Sequence, residues 1–212
     1  MQRDLWLART GFQAGHFAQL GVQIPKLLVD ATRAAEHHQG DDQLLAYRYL
    51  SLTLELTEAA AIKWGDTELA VVAGHRAVAA AERSQDVVIM ASAARHLADA
   101  MTNHGQAAAA VAFVTAAARR LEPDLLRRGP EGLSVLGMLF LKAAMAQATA
   151  AEADDHHPTP PPSPARSPAS WTRPTNTPTG SASTATNCRA AAPGPRGGGA
   201  TRRPPGARAG GG

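Results

Sequence analysis

The stretch KWGDTELAVVAGHRAVAAAE, residues 63–82, places a Gly-Asp pair between two segments of helical composition. Apolar side chains recur every three or four residues on both sides of the pair. These side chains are Leu45, Tyr49, Leu52, Leu56 and Ala60 upstream, and Ala70, Ala73, Ala77 and Ala81 downstream. Gly65 ends the first helix because glycine adopts positive φ cheaply, and Asp66 caps the second by accepting from free N–H groups. The stretch predicts a helical hairpin from about Asp42 to about Ser84.

The same arrangement recurs along the chain. Gly15 lies in AGHFAQL and Gly105 in NHGQAAAAVAFVTAAARR, each between segments of helical periodicity. A fourth turn is predicted at residues 153–155, after an apolar helix from Gly132 to Ala150. Repeated antiparallel helix pairs, about three and a half here, predict a helical solenoid in which each pair is stabilised mainly by its neighbours.

Composition divides the chain into two unlike parts. Aromatic residues make up 4% of the 212 residues, which favours helices over sheets. Residues 1–155 carry 14 Lys and Arg against 18 Asp and Glu, a net charge of −4, whereas residues 156–212 carry 7 Arg and no acid, a net charge of +7. The second part holds 12 of the 15 prolines and no Leu, Ile, Val, Met, Phe or Tyr. We therefore expect a helical array over 1–155 and a disordered Pro/Gly/Arg-rich tail over 156–212.

Two interpretations of the tail stay open. Its arginines, densest at Arg202 and Arg203, could attract nucleic acid weakly and without sequence preference. Alternatively, a frameshift near residues 155–158 of a GC-rich gene would turn an Ala/Leu/Asp/Arg-rich helix into such a tail. A frameshift would also remove the second helix of the fourth pair and leave the apolar face of residues 132–150 partly uncovered.

The helical part resembles the tetratricopeptide repeat, which places small residues around a glycine turn between two helices. Counting from the turn glycine, the family's small positions in the second helix fall on Ala70, Ala77, Ala110 and Ala117. Phe17 takes the aromatic place two residues after Gly15. The chain departs from the pattern at Glu58, where a Gly or Ala is usual, and no helix-ending Pro follows Ala77.

A second resemblance covers residues 1–155 as a unit. The segments GFQAGHFAQL, AYRYLSLTLELTEAAAIKWGDTELAVVAGHRAVAAAERSQD, ASAARHLADAMTNHGQAAAAVAF and EGLSVLGMLFLKAAMAQATA look like the C-terminal region of actinobacterial transcriptional regulators of the xenobiotic-response-element type. In that family an N-terminal helix-turn-helix domain binds DNA, and a tetratricopeptide-like array senses a ligand or dimerises. The resemblance implies a sensor or protein-interaction region whose DNA-binding domain is absent from this chain. A free-standing tetratricopeptide-like adaptor is the alternative.

The tetratricopeptide resemblance also implies a ligand-binding groove along the first helix of each pair. The positions that would line it are Arg9, Gln13, Glu55, Lys63, Arg95, Asp99 and Asn103. As a set, Lys63, Arg95 and Asn103 could hold a peptide carboxylate through cationic and amide donors. The competing interpretation is that these side chains are solvated and form helix-surface pairs, such as Arg95 with Asp99 at i,i+4.

No catalytic constellation is visible, so we expect neither an enzyme nor a cofactor. His37-His38 and His156-His157 lie in polar sequence without further ligands at usable spacing, so no metal site is expected. The N-terminus lacks a signal-peptide pattern, and the apolar run Leu133 to Leu141 is about half the length of a bilayer span. The expected location is the cytoplasm without membrane contact, and the expected partners are a peptide, a protein or a second copy of the chain.

Overall fold

The computed structural model describes residues 1–156, with side chains described through Ala153, and all regular structure in this part of the chain is helical. The helices lie in one compact unit. They are α1 Gln2–Gln13, α2 Phe17–His37, α3 Asp41–Trp64, α4 Thr67–Ser84, α5 Val87–Asn103, α6 Ala107–Arg127 and α7 Pro130–His156. The all-helical prediction is confirmed. The predicted tail, 156–212, lies outside the described residues except for His156, so the interpretations of it stay predictions.

Glycines end the first helix of each of three hairpins, as the sequence predicts. Their φ values are 77° at Gly15, 78° at Gly65 and 80° at Gly105. After α3, the N–H of Asp66 donates to the carbonyl oxygen of Ala61 at 2.9 Å, which satisfies one of the orphan carbonyls of the helix end. Asp66 Oδ1 accepts a hydrogen bond from the N–H of Leu69 at 2.9 Å, which caps α4 as expected.

The fourth predicted turn, at residues 153–155, is wrong. Helix α7 begins at Pro130, a residue suited to the first helical position, and continues through this segment to His156. The alanine-rich sequence before Asp154 favours helix, and the segment holds no glycine that would end it. The predicted helix of residues 132–150 is therefore longer at both ends.

The first helices of the pairs pack side by side, whereas the second helices do not. Cα atoms of α1 and α3, of α3 and α5, and of α5 and α7 lie within 8 Å of each other. Among α2, α4 and α6, no two helices approach within this distance. We call α1, α3, α5 and α7 the first-helix row. Each second helix packs on the first helix of its own pair and on the next one along the chain.

Helix α3 is enclosed by its neighbours α1, α2, α4 and α5. The predicted face of α4 is fully confirmed, because Ala70, Ala73, Ala77 and Ala81 are all buried. On α3, Leu56 and Ala60 are buried but Leu45 is 46% exposed, so the prediction for Leu45 is wrong. Ala46 and Tyr47, which follow it on α3, are buried, so Leu45 lies on the side of the helix that its neighbours leave uncovered.

Gly74 allows α4 and α5 to approach each other closely. A Cβ atom at this position would lie 3.1 Å from the Cα atom of Leu97 on α5. Glycine inside a helix costs about 0.5–1 kcal/mol relative to alanine, and the close helix contact accounts for its presence here.

Helix α7 has an exposed apolar surface. Its large side chains Leu133, Phe140, Leu141 and Met145 are between 49% and 54% exposed. By length and composition alone, Pro130–Ala153 is long and apolar enough to cross a membrane, a criterion that core helices of soluble proteins also meet. The comparison of Leu133 to Leu141 with the length of a bilayer span covered only part of this helix.

Ala77 offers a test of the hairpin contact, because it is fully buried and its carbonyl oxygen accepts from Ser51 Oγ of α3 at 3.0 Å. Ala77→Arg is expected to lower the free energy of unfolding by about 3 kcal/mol or more, through overpacking and charge burial. Val72→Arg is the control, since Val72 lies on the same helix and is 54% exposed. Equal thermal unfolding midpoints for the two variants would contradict this packing.

Candidate functional site

The predicted groove residues separate into two sets. One set forms side-chain interactions. Arg9, Glu55 and Asp99 contact residues of a neighbouring first helix, and Arg95 contacts the next residue on its own helix. Gln13, Lys63 and Asn103 are exposed and lie in the last turns of α1, α3 and α5. The Asn103 amide donates to the carbonyl oxygen of Asp99 on its own helix at 2.9 Å. Among the described side chains, no interaction joins Lys63, Arg95 and Asn103. The structure therefore does not show the predicted carboxylate clamp.

Glu55 connects three helices from a fully buried position on α3. Its Oε2 atom accepts from Arg9 Nη2 of α1 at 3.1 Å and from Ser92 Oγ of α5 at 3.0 Å. Its Oε1 atom is buried without a hydrogen-bond partner. Burial raises the pKa of the Glu55 carboxyl, and the positive charge of Arg9 opposes this increase.

His96 connects Arg95 to Glu58. Arg95 Nη2 lies 2.6 Å from His96 Nε2, and His96 Nδ1 lies 2.6 Å from Glu58 Oε2. A guanidinium has only donors, so Nε2 is the acceptor and Nδ1 carries the proton of the neutral imidazole. Nδ1 then donates to Glu58. Burial, followed by the charge of Arg95, lowers the pKa of His96 well below its ordinary value, which agrees with this neutral form.

Glu58 is a buried carboxyl that remains protonated at neutral pH. Burial, and after it the charge of Asp99, raises its pKa from 4.5 to about 9. Its Oε1 atom, like that of Glu55, is buried without a partner. The geometry also allows a Glu58 carboxylate paired with a protonated His96, but the low pKa of His96 favours two neutral groups.

Asp99 of α5 pairs with a lysine of α7 rather than with Arg95. Lys142 Nζ lies 2.8 Å from Asp99 Oδ1, and both side chains are partly buried. The i,i+4 pair between Arg95 and Asp99 that the sequence suggested is replaced by this longer-range contact. A cavity of about 360 Å³ beside it is lined by Asp99, Thr102, Asn103, Lys142, Met145, Ala146, Ala148 and Thr149.

We call this set of residues the polar cluster: Arg9, Glu55, Glu58, Ser92, Arg95, His96, Asp99 and Lys142. Arg9, Arg95 and Lys142 are its cations. Asp99 pairs with Lys142 and Glu55 with Arg9, whereas the raised pKa of Glu58 and the lowered pKa of His96 favour the neutral forms of these two groups. Positive charge is therefore in excess. An anionic group such as a carboxylate is the ligand chemistry that this excess favours.

Sequence reasoning missed four members of the polar cluster. Ser92, His96 and Lys142 were not singled out as site residues, and Glu58 was noted only as a departure from the repeat pattern. The available signal was the segment LTLELTE, residues 52–58, in which two carboxyls stand at i,i+3 among apolar residues. Buried acids require partners, so burial of this segment would imply polar groups on a facing helix.

Comparison with known proteins does not assign the chain to a family. No family model matches it, and neither a curated protein nor a solved structure matches it. Within the described residues, no group of three or more His, Cys, Asp or Glu side chains is arranged to hold a metal ion.

The titration of Glu58 predicts a pH dependence of stability. Between pH 4.5 and about 9 the folded chain holds a proton on Glu58 that the unfolded chain has lost. Stability should therefore fall as pH rises through this window, by up to about 1.4 kcal/mol per pH unit. The lowered pKa of His96 acts in the opposite direction below pH 6.5, because there the unfolded chain binds the additional proton.

Glu58→Gln should remove the Glu58 contribution, because glutamine keeps the shape of the side chain and does not ionise. The measurement is urea unfolding from pH 5 to 9. We expect wild-type stability to decline from about pH 6.5 upward and the variant to decline less. Glu68→Gln is the control, since Glu68 is exposed on α4. Parallel wild-type and Glu58→Gln profiles would show that Glu58 does not titrate in this way.

Proposed function

We propose that the seven helices are a tetratricopeptide-like sensor and protein-interaction region of an actinobacterial transcriptional regulator of the xenobiotic-response-element type. In this proposal a peptide or small ligand binds along the first-helix row, in the cytoplasm, and a domain outside these helices contacts DNA. The observation that carries the proposal is the polar cluster, in which polar and charged side chains of α1, α3, α5 and α7 meet across successive pairs. A free-standing adaptor that binds a protein through the same row is the alternative.

The polar cluster also supports a mechanism. Each of its longer-range contacts crosses from one first helix to the next, as Arg9 to Glu55 and Asp99 to Lys142 do. An anionic ligand that binds Arg95 and Lys142 would exchange the contact between Lys142 and Asp99 for its own and alter the spacing of α5 and α7. A ligand shifts such an equilibrium only through its differential affinity for the two arrangements.

Arg95 is the residue on which to test ligand binding, because its only described side-chain partner is a neutral histidine. A library of random octapeptides with free C-termini is screened against the full-length chain, and hits are measured by calorimetry. Hits should bind Arg95→Gln at least about tenfold more weakly than wild type, since a charge-assisted contact to a carboxylate is lost. Amidation of the peptide C-terminus should weaken binding in the same way.

The control for Arg95→Gln is Arg119→Gln, which removes an exposed arginine of α6 that lies outside the polar cluster. Hits that bind wild type and Arg95→Gln equally would exclude Arg95 from the site. A screen without hits would remove the support for peptide sensing, and a stable protein partner recovered without any regulator subunit would favour the adaptor.

The exposed surface of α7 predicts self-association, in line with the proposed homodimer. Apolar patches of this kind mark interaction surfaces on soluble proteins. Sedimentation equilibrium from micromolar to millimolar concentration should show dimers that Phe140→Glu shifts at least about tenfold toward monomer. Val22→Glu is the control, because Val22 is 79% exposed on α2, away from this surface. Monomers at every wild-type concentration would contradict the homodimer.

A further inference from the structure

A second cavity opens between α2 and α4, and α3 forms its floor. Both second helices pack on α3 but not on each other, so a groove of about 490 Å³ is left between them. We call it the α2–α4 groove. Its volume falls within the range of about 300–1,000 Å³ that is typical of small-molecule sites. It shares no lining residue with the polar cluster.

The floor and lower walls of the α2–α4 groove are apolar. Leu50 and Leu54 of α3 face the groove together with Leu28 and Val29 of α2 and Ala80 of α4. Val29 is 48% exposed, so part of this apolar surface is in contact with water. An aliphatic chain that covers these side chains would be stabilised by about 25 cal/mol for each Å² of apolar surface removed from water.

Three exposed arginines line the rim of this apolar floor. Arg33 lies on α2, and Arg76 and Arg83 lie two helical turns apart on α4. Among the described residues, none of the three forms an ion pair, although the chain contains many acids. Arg83 instead lies over the ring of Tyr47, with its guanidinium carbon 4.0 Å from the ring centroid.

Three of the acids near these arginines form ion pairs with other residues. Asp30 of α2 pairs with Lys26 at 3.0 Å, and Glu82 of α4 pairs with Arg120 at 3.4 Å. Asp86, which follows α4, accepts from Arg128 of α6 at 3.3 Å. Glu36 lies three residues after Arg33 on α2 and forms no ion pair with it, so among the described residues the three arginines of the rim have no acidic partner.

We propose that the α2–α4 groove binds an aliphatic carboxylate, with its chain on the apolar floor and its carboxylate held by the arginines of the rim. Arginine forms paired hydrogen bonds to a carboxylate, and a small unbranched ligand suits a groove of this volume. This site is separate from the first-helix row, so it adds a second ligand to the proposed sensor. It stands whether or not the chain binds peptides.

Decanoate is the probe for this site, measured by calorimetry against the full-length chain below its micelle concentration. We expect saturable binding of decanoate and at least tenfold weaker binding of decyltrimethylammonium, which has the same chain and the opposite charge. The double variant Arg33→Gln/Arg76→Gln should weaken decanoate binding at least about tenfold. Equal binding of the two probes, or of decanoate to wild type and this variant, would overturn the proposal.

Two further variants distinguish binding in the groove from a general effect of charge. Arg3→Gln/Arg119→Gln removes two exposed, unpaired arginines outside the groove and should bind decanoate as wild type does. Ala79→Trp fills the groove from an exposed position on α4 without changing the charge, and should abolish binding. Unchanged decanoate binding by Ala79→Trp would overturn the proposal. Wild-type dimers that Ala79→Trp converts to monomers would assign the groove to a second copy, which would also overturn it.

Discussion

The enclosure of α3 is the constraint on which the rest of the structure depends. A helix surrounded by four neighbours has no exposed side chain from residue 51 to residue 62, so its polar side chains there require partners inside the protein. Ser51 uses a carbonyl oxygen of α4, and Thr53 and Thr57 donate to their own helix. Glu55 and Glu58 form no such hydrogen bond within α3. They reach Ser92 and His96 on α5, which fixes the register of α3 against α5.

These contacts satisfy only one oxygen atom of each carboxyl group. Each carboxyl uses one oxygen atom and leaves the other buried and unpaired, at a cost of about 1–3 kcal/mol for each orphaned atom. Apolar side chains of similar volume would fill the same space without that cost. The chain keeps polar groups where α1, α3 and α5 meet, and burial there raises the pKa of Glu58 to about 9. Perturbed groups of this kind cluster at functional sites more often than in purely structural cores.

Local sequence signals predicted the hairpins well, because the turn at Gly65 and the capping by Asp66 depend only on neighbouring residues. The alanine face of α4 followed from periodicity for the same reason. The prediction was wrong at Leu45, which lies on the uncovered side of α3, and at residues 153–155, through which α7 continues. The polar cluster required knowledge of which helix faces α3: Glu55 and Arg9 are 46 residues apart, and no local pattern pairs them. Lys142 was missed because the Asp99 contact crosses 43 residues.

The polar cluster and the α2–α4 groove differ in chemistry because the two sets of helices differ in spacing. First helices in close contact exclude water, and burial drives the acids and the histidine between them toward neutral forms. Second helices stand apart, so arginines on their walls remain hydrated and keep their charge. A ligand in the first-helix row must displace existing protein contacts, whereas one in the α2–α4 groove meets arginines without ion-pair partners. A single helix, α3, contributes residues to both, so an arrangement of α3 preferred by one ligand would alter affinity for the other.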